Sequence, residues 1–190
     1  MDELDKTPNR LDRASLRSRK HSREEFKELE RTPIALVLDG VFGNYNQGAL
    51  FRLADALMLE QIHFCGVELQ TWHRRFLKSA RGTHKWVPHT VGMQTREVLE
   101  NYSTLGYQIV IVEQCEESVS LLDAERATPV CLVLGGELSG VSPDLLSLAD
   151  LIVELPSLGM ANSLNVAMSA GMVAMSAFKS HMTHQVDLSR

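Results

Sequence analysis

From Pro33 onward the chain alternates short apolar runs with longer mixed stretches. IALVL (34–38), IHFCGV (62–67), YQIVIV (107–112), VCLVL (130–134) and LIVEL (151–155) are nearly continuous hydrophobic runs. Runs of that length, rich in Ile, Val and Leu, predict strands of a parallel sheet buried on both faces. Between them the spacing predicts helices over roughly 47–59, 94–104, 142–149 and 163–180. Ser142-Pro143-Asp144 reads as a helix start, a capping hydroxyl followed by proline in the first turn. The expected fold is α/β, an open and mostly parallel sheet of five or six strands with covering helices.

The last predicted helix, SLNVAMSAGMVAMSAFKS, is apolar nearly all round and rich in Ala, Ser, Gly and Met. Such a helix must be buried on most sides. A chain of 190 residues has little room to bury it alone, so a homodimer is expected. Residues 1–30 are polar and charged, with a helical pattern over 13–29 and no core face, and read as an N-terminal arm or helix. The folded domain is then 31–182 and the C-terminal tail 183–190.

Composition adds exclusions. No apolar stretch reaches the roughly 18–20 residues that span a bilayer, and MDELDKTPNR lacks the apolar run of a secretion signal. A cytoplasmic protein without membrane contact is expected. Cys65, Cys115 and Cys131 are odd in number and lie apart in apolar stretches, which predicts reduced thiols and no disulfide framework. Histidine spacing offers no metal site, His181 and His184 included.

The net charge of −5 argues against nucleic acid until it is mapped. Within 10–23 lie Arg10, Arg13, Arg17, Arg19, Lys20 and Arg23 against the single acid Asp12. Residues 69–96 contain no acid, yet hold Arg74, Arg75, Lys78, Arg81, Lys85 and Arg96. Local basic fields of this kind can hold phosphates. Arg13, Arg17, Arg74, Arg75, Lys78, Arg81 and Lys85 are therefore candidate RNA contacts, the bland reading being two solvated faces.

Three loops interrupt the pattern. Residues 43–52, GNYNQGALFR, follow the first strand and run into a helix, where α/β proteins place ligands. Residues 134–140, LGGELSG, carry paired glycines that let a ligand approach the backbone, without the spacing of a P-loop or a dinucleotide fingerprint. Residues 155–165, LPSLGMANSLN, place Ser163 and Asn165 at the start of the apolar helix. Ser163 suits an N-cap, whereas Asn165 is an amide that needs another partner.

In this order the loops resemble the SpoU-type (TrmH-like) RNA 2′-O-ribose methyltransferases of the SPOUT superfamily. Asn46-Gln47-Gly48-Ala49-Leu50-Phe51-Arg52 fits N-x-G-A-x-x-R, residues 135–140 fit G-x-E-x-x-G, and Leu155-Pro156 with Ser163-Leu164-Asn165-Val166 fits the third motif. Residues 78–88 are similar to the family's linker between early strands, and the resemblance spans roughly 33–180.

The resemblance implies a SPOUT-like fold with a C-terminal trefoil knot and S-adenosylmethionine as cofactor. The knot backbone would hold the cofactor among Val112, Glu113, Gly135, Gly136, Leu155 and Leu164; Glu113 departs from the family pattern and could meet the cofactor's ribose or face solvent. Arg52, Asn46, Glu137, Ser163 and Asn165 would form the catalytic set, some supplied by a partner subunit, and no metal is called for. The family gives Arg52 the proton-accepting role, but a guanidinium stays protonated, so binding the phosphate beside the target ribose is the safer assignment. About 30 residues precede the domain, too few for a separate RNA-binding fold, which favours transfer RNA over ribosomal RNA. A SPOUT enzyme that methylates a base and a non-catalytic knotted RNA-binding relative are the other classes.

Overall fold

The computed structural model describes residues 12–188 apart from Arg19, Arg126, Ala127 and Leu138. Arg10 of the first basic cluster, like Arg19, therefore lies outside the described residues. The chain divides into two compact units, Met1–Glu30 and Arg31–Arg190. Within the first, α1 (Arg13–Ser18) is followed by α2 (Arg23–Glu28). A reciprocal capping box starts α2: Ser22 Oγ accepts from Glu25 N–H and Glu25 Oε2 accepts from Ser22 N–H.

The second unit is built on seven parallel strands in the order β3-β2-β1-β6-β4-β7-β5. They are β1 (Thr32–Asp39), β2 (Leu59–Cys65), β3 (His89–Val91), β4 (Gln108–Val112), β5 (Val119–Ser120), β6 (Val130–Gly135) and β7 (Leu151–Glu154). The helices are α3 (Asn44–Ala56), α4 (Arg74–Ala80), α5 (Thr95–Thr104) and α6 (Val166–Leu188). All five apolar runs are strands. The two additional strands are three and two residues long, and neither His-Thr-Val nor Val-Ser makes a continuous apolar run.

Central β1 shows why the apolar runs are continuous. Ile34, Leu36 and Leu38 enter one core with Leu50, Phe51, Phe64, Phe76 and the buried side of α6. Ala35 and Val37 enter the other, with Val98, Leu99, Ile109 and Ile111. Successive side chains of a strand face opposite ways, so a strand covered on both faces is apolar at every position.

Three helix expectations change, and the first is that the helix expected over 47–59 runs Asn44–Ala56. The segment 142–149 is a 3-10 helix, Pro143–Leu148, and the Ser142 hydroxyl does not cap it. That hydroxyl donates to Asp39 Oδ2 at 2.7 Å, and Ser142 N–H reaches the same oxygen at 3.0 Å. The last helix starts at Val166, not 163, and continues to Leu188 through positions expected to be a tail. Only one side of it is buried, through Val166, Ala170, Val173, Ala174 and Ala177; Met168, Met172, Met175 and Met182 are exposed.

Burial fits the expectation of buried, reduced thiols for Cys65 and Cys131, while Cys115 is half-buried. Cys65 and Cys131 are buried and unpaired, and loss of solvent pushes the Cys65 thiol up to about 11 and Cys131 higher still. Neither offers a thiolate.

One close contact sets α3 against α4. A methyl group on Gly48 would lie 2.2 Å from Ser79 Oγ, 2.6 Å from the Phe76 carbonyl oxygen and 2.8 Å from Ala80 N. Two of those three atoms are backbone and cannot rotate away. Gly48→Ala should therefore force the helices apart and destabilise the fold by about 1–3 kcal/mol. Calorimetry should find a melting temperature lower by about 2–4 °C per kcal/mol, despite alanine's better helix propensity; an unchanged or higher value would mean the contact is not tight.

Candidate active site at the carboxyl ends of the strands

A cavity of about 210 Å³ opens where β4, β6 and β7 end. Ligands of open parallel sheets sit at these carboxyl ends. Val112, Glu113 and Gln114 approach from β4, Leu134, Gly135 and Gly136 from β6, and Glu154 and Leu155 from β7. Ser163, Leu164, Val166 and Ser169 close it from the loop before α6 and the helix itself. All six residues expected at a cofactor, Val112, Glu113, Gly135, Gly136, Leu155 and Leu164, thus line one cavity.

The loop after β6 is shaped by backbone contact. A methyl group on Gly135 would fall 1.9 Å from the Gly140 carbonyl carbon and 2.2 Å from Val141 N. Gly140 has φ +64°, and a methyl there would meet Glu113 Oε2 at 2.4 Å. Glu113 holds the loop: Oε2 accepts from Val141 N–H at 2.9 Å, while Oε1 accepts from Gln114 N–H at 3.0 Å. Asp39 holds the next residue through Ser142, and its carbonyl accepts from Gly136 N–H at 2.9 Å. Glu113 therefore does structural work as well as lining the cavity.

The three sequence loops converge beside this cavity. Asn46 Nδ2 donates to Glu137 Oε1, and Asn165 Nδ2 donates to Asn46 Oδ1 at 3.0 Å. Both ends of the Asn165 amide are engaged, because its Oδ1 accepts from Ala167 N–H at 3.0 Å. It is thus the N-cap of α6, and the expectation that Ser163 takes that role is corrected. Ser163 is exposed and turns to the cavity wall instead.

Arg52 is not brought to this cluster. It is exposed on α3, about 9 Å along the axis from Asn46 and on a different side of the helix. Of the basic residues, Arg17 is exposed on α1, and only the backbone of Arg13 is described. Arg74, Arg75 and Lys78 are exposed on α4, with Arg81 at its end and Lys85 in the following 3-10 helix. Arg96 pairs with Asp144 and Glu100, so its charge is partly spent.

Sequence reading missed Gln114, Glu154, Ser157 and Ser169 in the cavity wall. Glu154 had a signal, being the lone acid in LIVEL; its Oε2 accepts from Ser118 Oγ at 2.9 Å. Among the described residues no group of His, Cys, Asp and Glu could hold a metal ion.

The wall suits an amphipathic nucleoside. Val112, Leu134, Leu155 and Leu164 offer apolar surface for a purine, and side-chain-free Gly135 and Gly136 let it approach the backbone. Glu113, Glu154 and the serines offer partners for ribose hydroxyls and an ammonium.

Comparison with known proteins places these features. The SpoU rRNA Methylase family profile matches residues 33–175. The chain is 30% identical over 156 residues to the tRNA (guanosine(18)-2′-O)-methyltransferase of Aquifex aeolicus, covering 78% of this chain and 70% of that one. It is 26% identical over 160 residues to the enzyme of the same name from Thermus thermophilus, covering 84% and 81%. The crystal structure of the A. aeolicus TrmH/SpoU tRNA modifying enzyme superposes with a TM-score of 0.74 at 26% identity, over 86% of this chain and 82% of that one.

The double use of Asn165 makes two substitutions differ. Asn165→Ala loses cap and bridge together and should cost about 1 kcal/mol. Asn165→Asp keeps the cap acceptor but turns a carboxylate oxygen toward Asn46 Oδ1. It should melt close to the wild type while amide exchange quickens in residues 43–47 and 135–141. Equal exchange in the two proteins would show that the bridge does not order these loops.

Proposed function

This chain belongs to the SpoU rRNA Methylase family, and from that membership we propose that it transfers a methyl group to a ribose 2′-hydroxyl of structured RNA. The cofactor is S-adenosylmethionine, the active form a homodimer, the compartment the cytoplasm and transfer RNA the substrate. The observation that carries the reading is the hydrogen-bonded chain Glu137–Asn46–Asn165, which joins three separate loops at the edge of one cavity.

Bound S-adenosylmethionine supplies a methyl group on a sulfonium, which leaves as a neutral thioether when an oxygen attacks in line. The protein has to fix the attacking oxygen and ease loss of its proton. Orientation lowers such a barrier by as much as roughly 7–11 kcal/mol in favourable cases. Asn46 holds Glu137 at the cavity edge, where the carboxylate and the Ser163 hydroxyl orient the ribose. Arg52 binds the phosphate beside that ribose and lowers the cost of negative charge on the 2′-oxygen. Its position outside the cavity of its own chain fits a composite site, in which each subunit's Arg52 serves the other's cavity.

The dimer reading is supported by surface chemistry. Met168, Met172 and Met175 form an exposed apolar side of α6, and Leu158 and Met160 in the preceding loop are fully exposed. Contiguous apolar surface of this kind marks interaction sites. The knot belongs to the same proposal: the loops after β6 and β7 share one cavity, as threaded loops would. Transfer RNA is favoured because the two relatives above carry it in their names. The family's own description makes ribosomal RNA the second reading.

The test is incubation of the protein with labelled S-adenosylmethionine and total RNA, separated by size, then mass analysis of product nucleosides. A 2′-O-methylated nucleoside in the transfer RNA fraction is expected; a methylated base would overturn the reaction. Arg52→Ala should lower turnover by about 10²–10³-fold while calorimetry finds cofactor affinity unchanged. Wild-type turnover in that variant would remove Arg52 from the mechanism. Sedimentation should find a dimer at micromolar concentration, and a folded, active monomer would remove the composite site.

A further inference from the structure

Three aromatic side chains stand in the open beyond the ends of β1 and β2. Phe42 and Trp72 are 73% and 74% exposed and Tyr45 58%, while every other described aromatic is buried or half-buried. Phe42 lies in the loop after β1, and Tyr45 in the first turn of α3. Trp72 sits in the turn closed by His73 N–H donating to the Gln70 carbonyl at 2.9 Å. The two loops are tied together by Asn44 Nδ2 donating to Gln70 Oε1 at 3.3 Å. Phe42, Asn44, Glu68 and Gln70 line one groove with Gly66 and Gly92, which add no side chain. Immediately after Trp72, Arg74, Arg75 and Lys78 are exposed on α4.

We propose that this groove is a stacking platform for unpaired nucleobases of the RNA substrate, with α4 guiding the adjoining phosphates. The inference rests on the RNA reading above and adds a binding surface outside the catalytic loops. An unpaired base presents an apolar π-face and a polar edge, and such bases are bound by stacking on aromatic rings with hydrogen bonds along the edge. Phe42 supplies a ring in the groove, Tyr45 and Trp72 supply rings next in the chain to its lining loops, and the amides of Asn44 and Gln70 supply donors and acceptors. Glu68, the one acid in the groove, repels phosphate and can only accept, so it turns the backbone toward α4 and favours a base edge that donates. Cations without acids over 69–96 match a polyanion and give a protein partner of ordinary mixed charge little to pair with.

The position fits the chemistry. Asn44 and Asn46 share the first turn of α3, one facing the groove and the other holding Glu137. A strand of RNA with one ribose at the cavity could lay a neighbouring base on the platform. Recognition and reaction would then be coupled through three residues of backbone.

The test uses the full-length protein and a short single-stranded RNA of mixed sequence. Trp72 is one of two tryptophans; the other, Trp86, is half-buried and donates from Nε1 to Asp55 Oδ1 at 2.6 Å. Stacking should quench the emission of Trp72. Trp72→Phe should keep RNA affinity and lose most of the quench. Trp72→Ala and Phe42→Ala should each weaken binding by about tenfold. The slope of log affinity against log salt should be unchanged in these two, because no phosphate contact is lost, whereas Lys78→Ala should flatten it by about 0.7. A Trp72→Ala/Phe42→Ala double variant that binds like the wild type would overturn the platform, as would a wild-type protein that does not bind the oligomer. A variant that changes oligomeric state at unaltered RNA affinity would assign the patch to a protein contact and also overturn it. If the oligomer binds with quenching but no RNA accepts a methyl group, the transferase reading falls and the platform stands.

Discussion

The functional end of the molecule depends on how residues 135–142 are held. This segment leaves the sheet at β6 and folds back on itself, with Gly140 N–H donating to the Gly136 carbonyl at 2.9 Å. Two carboxylates grip it from neighbouring strands, Glu113 at the end of β4 through Val141 N–H and Asp39 at the end of β1 through Ser142 N–H. Charged acceptors make hydrogen bonds roughly twice as strong as neutral ones, so the grip is firm at little cost in space. The glycines follow from it, since any side chain at 135 or 140 would displace either the loop or Glu113. Glu137, between Gly136, whose N–H is held by the Asp39 carbonyl, and the gripped Val141, is thereby delivered to Asn46. The cavity wall and the catalytic candidates share one foundation.

What could be read from the sequence follows the range of each interaction. Strand runs are a local consequence of burial on two faces, so five of seven strands and the parallel α/β class were legible. β3 and β5 are held by pairing with β2 and β7, which leaves no local signature in two or three residues. The three motif loops were legible by resemblance: the cavity collects Gly135, Gly136, Glu137, Leu155, Ser163 and Leu164, Asn46 and Asn165 are joined to it through Glu137, and Arg52 stays outside. Helix starts were legible for α5, expected from 94 and found from Thr95, but not for the segments that open with a serine. Ser142 and Ser163 both look like caps, yet Ser142 is drawn off by Asp39, a partner 103 residues away in sequence, and Asn165 takes the place of Ser163. A hydroxyl caps a helix only when nothing better lies within reach, and distant competitors are invisible to a local reading.

The role of Glu113 shows the same limit from the other side. Its sequence position, one residue past an apolar strand, suits either a ligand contact or a solvated end. Neither covers what it does, because one carboxylate oxygen accepts from Val141 N–H, 28 residues onward, while the other accepts from the adjacent Gln114 N–H. Arg52 is the opposite case. The motif marks it plainly, but its place on an exposed side of α3 gives it no partner among the described residues and no share in the cavity of its own chain. A residue specified so clearly by the motif is left exposed on the surface by one copy of the chain.

Charge completes the separation of roles. A net −5 would repel RNA if it were spread evenly. The cations of 74–85 lie on α4 and just after it, where Phe76, Ser79 and Ala80 turn inward and Arg74, Arg75 and Lys78 turn out. The cavity wall, in contrast, carries Glu113, Glu137 and Glu154 with no cation among its lining residues. Positive charge is therefore displayed on α4, away from an acidic cavity wall that suits the sulfonium of S-adenosylmethionine. The contact between α3 and α4 through Gly48 fixes the distance between these two fields.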